Sequence, residues 1–226
     1  LFLSSKFDAV INGASMVTAG NAVLKKYAER LNLNVSILPT VVDTNRFVPI
    51  IKSPGETFNI GWIGSPSTSV YLNELIKPLS LFGIEAKVIF TVIGGDVPHI
   101  PNIEVKRVDW SELTEVDYIN TFDVGVMPLP DNEWAQGKCA FKLIQYMACS
   151  IPVIASPVGA NCTVVDSGSG LFADSPESWI NAFRYMSENS ERRKQMGRHA
   201  RKRIIDNYSI PCNTPILEEI ILSISK

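Results

Sequence analysis

The stretch that most constrains this chain runs from Asp123 to Ser156, DVGVMPLPDNEWAQGKCAFKLIQYMACSIPVIAS. It divides into an apolar run at 123–127, a polar loop at 128–136, a helical segment at about 137–149 and a second apolar run at 151–155. Short apolar runs on either side of a helix are the pattern of a βαβ unit, and they imply a parallel sheet. At roughly 100° per residue, Lys138, Lys142, Gln145 and Cys149 fall on one narrow line of that helix. Ala140, Phe141, Leu143, Ile144, Met147 and Ala148 cover most of the remaining circumference. A helix packed nearly all round is expected to turn its polar line toward a cleft rather than open water. Two lysines and a carboxamide in a cleft suit an anionic ligand that carries hydroxyls.

The start of the same helix points the same way. Open backbone N–H groups and the positive end of the macrodipole make a helix N-terminus an anion site. Gly137 at that point lets a ligand approach the backbone closely. In open parallel sheets, ligands bind beyond the carboxyl ends of the strands, where the loop after Met127 lies. The competing account is an ordinary buried crossover helix whose lysines snorkel to the surface.

Composition bounds the rest. With 226 residues, 46% hydrophobic and 19% charged, the chain is globular, with room for one large or two small domains. A net charge of −2 gives no reason to expect nucleic acid as a partner. Four cysteines (Cys139, Cys149, Cys162, Cys212) form no CxxC pair and have no His at metal-ligand spacing. Neither zinc nor a disulfide framework is indicated, and a reduced, cytoplasmic setting is the default. No apolar run approaches the roughly 18–20 residues that span a bilayer. The opening LFLSSKFD lacks the basic n-region and cleavage site of a signal peptide, and the chain starts without Met, in mid-pattern, as a fragment would.

Elements alternate along the chain. Residues 7–11 read as a strand, 21–31 as a helix and 35–38 as a strand; the polar, proline-bearing DTNRFVPIIKSPG at 43–55 reads as a linker, with a boundary near residue 52. Strands are expected at 58–63, 87–93 and 103–108. Helices are expected at 71–82, where Pro78 is placed to kink, and at 111–119, with Ser111 as N-cap. After the central unit, Ser175-Pro176 opens a helix through Trp179, Ile180, Phe183 and Met186. A charged helix at 189–205 and an apolar one at 215–224 close the chain. Strand–helix alternation implies a doubly wound, Rossmann-like α/β domain over about 53–207. Two loops, Gly61-Trp-Ile-Gly64-Ser65 and Ser156-Pro157-Val158-Gly159, should share the sheet edge of the loop after Met127. Gly64 and Ser65 are candidates to cradle a phosphate, through backbone N–H groups and a hydroxyl; a tight strand-to-helix turn is the plainer reading.

GKCAFKLIQYMACSIPVIASPVGAN, then SGSGLFADSPESW, then RRKQMGRHARKRIIDNYS, resembles the C-terminal half of family 4 glycosyltransferases, which have the GT-B fold. NIGWIGSPST and DVGVMPLPDNEWAQGK extend the match upstream, and PTVVDTNRF resembles the family's interdomain linker. The resemblance implies a nucleotide-sugar donor held by a Rossmann-like domain at 53–207. It also implies that residues 1–52 end an N-terminal domain and that 208–226 cross back to it. The family's paired glutamates, eight positions apart, fall at Gly137 and Gln145, so neither carboxylate is kept. Gln145 can still meet ribose hydroxyls, having both donor and acceptor groups; a glycine cannot replace the other glutamate near the sugar. The resemblance further places the backbone of Cys139, Ala140 and Phe141 toward the diphosphate, Lys142 as its charge partner, and Arg107 and Val108 at the base. Glu133 or Lys138 is a candidate to fill the gap near the sugar. The implied reaction is transfer of a glycosyl group to an acceptor hydroxyl of a glycan or lipid-linked glycan, with retention and without a metal or other cofactor. A nucleotide-sugar epimerase and a non-catalytic binding module are the alternatives.

The remaining conspicuous residues have plain explanations. His99 is a loop residue, and the basic run Arg192–Arg203 around His199 is a solvated helix face. Contact of that run with the anionic inner face of a membrane is its second reading, decided by liposome binding at low and moderate salt. Trp62, Trp110 and Trp179 read as core or rim packing. Trp134 is the one tryptophan suited to a sugar.

Overall fold

The computed structural model describes residues 2–51, 55 and 57–224. The chain opens with α1 (Phe2–Gly13), where a strand is expected. Phe7, Val10 and Ile11 stand three and four apart, which is helical spacing. The first strand is instead β1 (Val17–Ala19), which pairs in parallel with β2 (Val35–Ile37) through α2 (Ala22–Ala28). Asn21 caps α2, its Oδ1 accepting from Leu24 N at 2.9 Å.

The linker is anchored to the larger body of the protein. Val42 bridges Ser209, its N–H donating to Tyr208 O at 2.9 Å, and Phe47 is buried in the main core. Ile50 N donates to Asn120 Oδ1 at 2.9 Å. The expected boundary near residue 52 lies at positions outside the described residues, which omit 52–54 and 56.

The main body is a six-stranded parallel sheet. Its strands are β3 (Phe58–Ile63), β4 (Val88–Ile93), β5 (Glu104–Val108), β6 (Val124–Met127), β7 (Val153–Ala155) and β8 (Gly170–Phe172). Between them lie α3 (Asn73–Glu85), α4 (Glu115–Ile119), α5 (Glu133–Gln136), α6 (Phe141–Ala148) and α7 (Asn161–Val164). Pro78 sits inside α3, preceded by a 3-10 turn at Pro66–Leu72. α4 begins at Glu115; Ser111 accepts that residue's N–H through its backbone carbonyl, so it is not the N-cap. α8 (Pro176–Glu188) has a capping box between Ser175 and Ser178 with Pro at its first position. α9 (Ser190–Asn207) and α10 (Ile210–Ile224) end the chain, the latter five residues longer at its start than the apolar pattern suggests.

Strand order is β5-β4-β3-β6-β7-β8, so the chain winds outward from β3, returns, and winds the other way from β6. Layers of apolar side chains cover both faces. Leu75, Leu79, Phe82, Trp179 and Phe183 fill one layer; Leu143, Tyr146, Met147, Ala200 and Ile204 fill the other. This is a mixed α/β, Rossmann-like domain. The order reversal leaves a crevice between the carboxyl ends of β3 and β6, the place where such sheets bind ligands.

Candidate donor cleft

A cleft of about 620 Å³ opens at that crevice. Gly64, Ser65, Lys138, Cys139, Ala140, Phe141, Lys142 and Gln145 all line it. The fold therefore brings the Gly64–Ser65 loop beside a loop and helix that lie more than 70 residues further along the chain, at the carboxyl ends of neighbouring strands.

The helix itself starts later than its periodicity implies. Gly137 closes the short α5, donating its N–H to Glu133 O, and residues 138–140 form a separate loop. Ala140 then takes a left-handed conformation, φ 56°, ψ 27°, and α6 begins at Phe141. A non-glycine residue there costs about 1–2 kcal/mol, and such strain clusters at functional sites. Asn21 holds the loop from outside, its Nδ2 donating to Gly137 O and Lys138 O, each at 3.1 Å. Lys138 thus stands on the loop and not on the helix, and Phe141 is 43% exposed, so α6 is not packed all round. Cys149 is buried, its thiol pushed up to about 12 by desolvation, and the polar line ends at Gln145.

The N-terminus of α6 has no side-chain cap, and its first residues, Phe141 and Lys142, line the cleft, which makes the helix start a candidate anion site. Lys142 runs from that turn across Gly64: a Cβ on Gly64 would lie 2.8 Å from Lys142 Cε and overlap Trp62. Glycine at 64 is what lets the lysine stem pass. Lys142 Nζ sits 5.2 Å from the centre of the Trp62 ring; Lys138 Nζ is 5.5 Å from Tyr71 and 5.9 Å from Trp134. Burial, and secondarily the Lys138 charge, lower the Lys142 pKa to about 8. The charge of Lys138 is felt at Lys142, and among the described residues no ion pair with a carboxylate is seen for either lysine, so the two make an unbalanced positive site.

The Gly64 turn contributes less than the sequence suggests. Gly64 N–H is not free for a phosphate, because it donates to Ile93 O at 3.0 Å as the last rung between β3 and β4. Ser65 Oγ, exposed and 2.9 Å from Ser67 Oγ, is the hydroxyl at that wall. Arg107 and Val108 lie away from the cleft lining: Arg107 Nε donates to Asp96 Oδ1 at 2.8 Å and its Nη2 to Val97 O, while Val108 O accepts from Gly94 N. Gly137 is also outside the lining, and a Cβ on it would meet nothing nearer than 3.5 Å. Trp134 stands exposed beside Lys138.

Among the lining residues outside the expected donor-binding set are Arg46, Phe47, Trp110 and Glu115. Trp110 is 53% exposed and walls the cleft beside Gly94. Glu115 accepts from Trp110 Nε1 at 2.8 Å and pairs with Arg46 at 2.7 Å. Their signal in the sequence was slight, a Trp-x₄-Glu spacing after β5 and an arginine in the linker. Among the described residues no group of three or more His, Cys, Asp or Glu side chains is placed to hold a metal ion. Nor, among them, is any helix long and apolar enough to cross a membrane.

A family model described as glycosyl transferases group 1 matches residues 59–189, the span that carries this cleft. The chain belongs to that family. No curated protein matches its sequence. Among solved structures, a glycosyltransferase from Rickettsia africae superposes with a TM-score of 0.77 at 14% identity, covering 98% of this chain and 67% of its own. Anabaena HepE, solved with UDP and glucose, gives 0.76 at 15% identity, with 96% and 66% covered. S. aureus TarM, solved with fondaparinux, alpha-GlcNAc-glycerol and UDP, gives 0.75 at 17%, with 99% and 47% covered. At these identities the likeness shows the fold, that of GT-B glycosyltransferases. The chain spans from about half to two thirds of the length of these neighbours.

Proposed function

We propose that this chain is the donor-binding half of a retaining glycosyltransferase of the family 4 kind. In this reading residues 53–207 hold a nucleoside-diphosphate sugar, residues 1–52 end an acceptor-side domain, and 208–226 return to it. The observation that carries the proposal is the unbalanced positive site where Lys138 and Lys142 meet the uncapped start of α6. A diphosphate leaving group gathers negative charge as the glycosidic bond breaks. Ammonium groups and helix amides fixed beside it stabilise the transition state more than the ground state, without a metal. The UDP seen with neighbouring GT-B structures supports a nucleotide donor. The acceptor is a hydroxyl of a glycan or lipid-linked glycan.

Calorimetry with a panel of nucleoside diphosphates should detect binding that Lys142→Ala weakens about tenfold or more, as loss of a charged hydrogen bond does. A panel with no binding would overturn the reading.

Gly137 favours a second reading. With no carboxylate at that position, a module that binds the donor without turning it over is the alternative. Donor hydrolysis or transfer by a longer protein that joins this chain to an acceptor domain would separate the two.

A further inference from the structure

The end of the cleft away from the lysines is organised by a buried carboxylate. Glu115 is 4% exposed, yet it lines the cleft. Its Oε1 is 2.7 Å from Arg46 Nη2, and its Oε2 accepts from Trp110 Nε1 at 2.8 Å and Gln145 Nε2 at 3.4 Å. A carboxylate paired with a guanidinium offers acceptors alone. Gln145, 5% exposed, must therefore turn its amide NH₂ toward Glu115 and its carbonyl oxygen away. An amide's orientation is fixed by the hydrogen bonds around it, and here one charged neighbour decides it.

Resting on the donor-site reading above, we infer that Glu115 is a positioning residue for the nucleoside part of the ligand. It presents the Gln145 carbonyl as an acceptor for ribose hydroxyls and pins the Trp110 indole as the wall beside them. Arg46, from the segment before β3, neutralises it. The pair at 115 and 145 tolerates one negative charge, because a second carboxylate at about this distance would face a like charge in a buried site. The charge sits on α4 and not on α6, which explains why position 145 carries an amide. Exchanging the two residues should therefore preserve the arrangement that either single change disrupts.

Titrating UDP, 2′-deoxy-UDP and inorganic pyrophosphate into the wild-type chain and into E115Q, Q145E and E115Q/Q145E tests this. Wild type should prefer UDP to 2′-deoxy-UDP by about fivefold or more, the value of one hydrogen bond. E115Q should lose that preference while keeping pyrophosphate binding within about twofold, since its lysines are untouched. Q145E should bind UDP more weakly and melt at a lower temperature, and the double variant should regain both preference and stability. Pyrophosphate binding by E115Q reports that its cleft is folded. An E115Q protein that binds pyrophosphate and keeps the wild-type preference overturns the inference, as does a wild type that binds UDP without preference, and in both cases the donor site stands. A wild type that binds neither UDP nor pyrophosphate overturns the donor-site reading and this inference with it.

Discussion

Lys142 is where folding and binding pull in opposite directions. Its pKa in the folded chain is about 8 against an ordinary 10.5, with desolvation as the main cause. Below pH 8 both folded and unfolded chains hold the proton, so the full penalty of burying the charge is present. Between about 8 and 10.5 the unfolded chain binds more protons than the folded one, so stability rises with pH. Lys142→Met should therefore raise the stability of the ligand-free protein at pH 7 by on the order of 1–3 kcal/mol and flatten that rise. Chemical denaturation at pH 7 and pH 9.5 would measure it. An anion in the cleft reverses the preference, so pyrophosphate affinity should fall as pH climbs past 8 in the wild type and stay level in the variant.

Among the elements, the segment before α6 decides where the positive site lies. The apolar period at 141–148 was legible, because it is a local pattern repeated over two turns. The helix start was not legible from periodicity, because Lys138, Cys139 and Ala140 fit the same wheel as the helix proper. What ends the periodicity is a long-range contact. Asn21, from the first βαβ unit, grips the carbonyls of Gly137 and Lys138 and keeps them out of the helix. Asn21→Ala should cost about 1 kcal/mol as a lost cap and also weaken pyrophosphate binding, although the residue lies outside the cleft lining. Thermal denaturation alongside titration would show both effects; a loss of stability with unchanged binding would mean that Asn21 serves α2 alone. The strand β4 was readable as a β-branched, mostly apolar run, as a two-sided buried sheet requires, and β3 from its apolar residues ahead of the Gly64 turn. The Arg46–Glu115–Trp110 group was not, since Arg46 and Glu115 are 69 positions apart and only the folded sheet brings them together.

For the molecule as a whole, the basic run of α9 is divided: Arg192, Lys194, Arg198, His199 and Lys202 are exposed, while Arg193, Arg201 and Arg203 are half-buried and bond to the protein. Arg201 donates to Phe47 O at 2.8 Å, to Thr44 O at 3.2 Å and to Ala148 O, tying the segment before β3 to the end of α6. Arg203 donates to Val164 O at 2.7 Å and to Thr163 O, and Arg193 pairs with Asp123 at 3.6 Å. The charge pattern alone could not distinguish these inward arginines from a solvated or membrane-facing stripe. Arg201→Ala leaves three carbonyls without their donor and should cost about 2–4 kcal/mol, read as a lower denaturation midpoint. Arg46, on the same segment, carries this fixed geometry directly to Glu115 in the cleft.

The central claim is that the start of α6 and the two lysines beside it grip a diphosphate at the β3–β6 crevice. A crystal soaked with UDP tests it most directly. The phosphates should sit within hydrogen-bonding distance of Lys142 Nζ and the backbone amides at the start of α6, beside the Gly64 turn. Density for the diphosphate elsewhere on the sheet edge, with Lys142 still packed against Trp62 and touching no ligand, would contradict it.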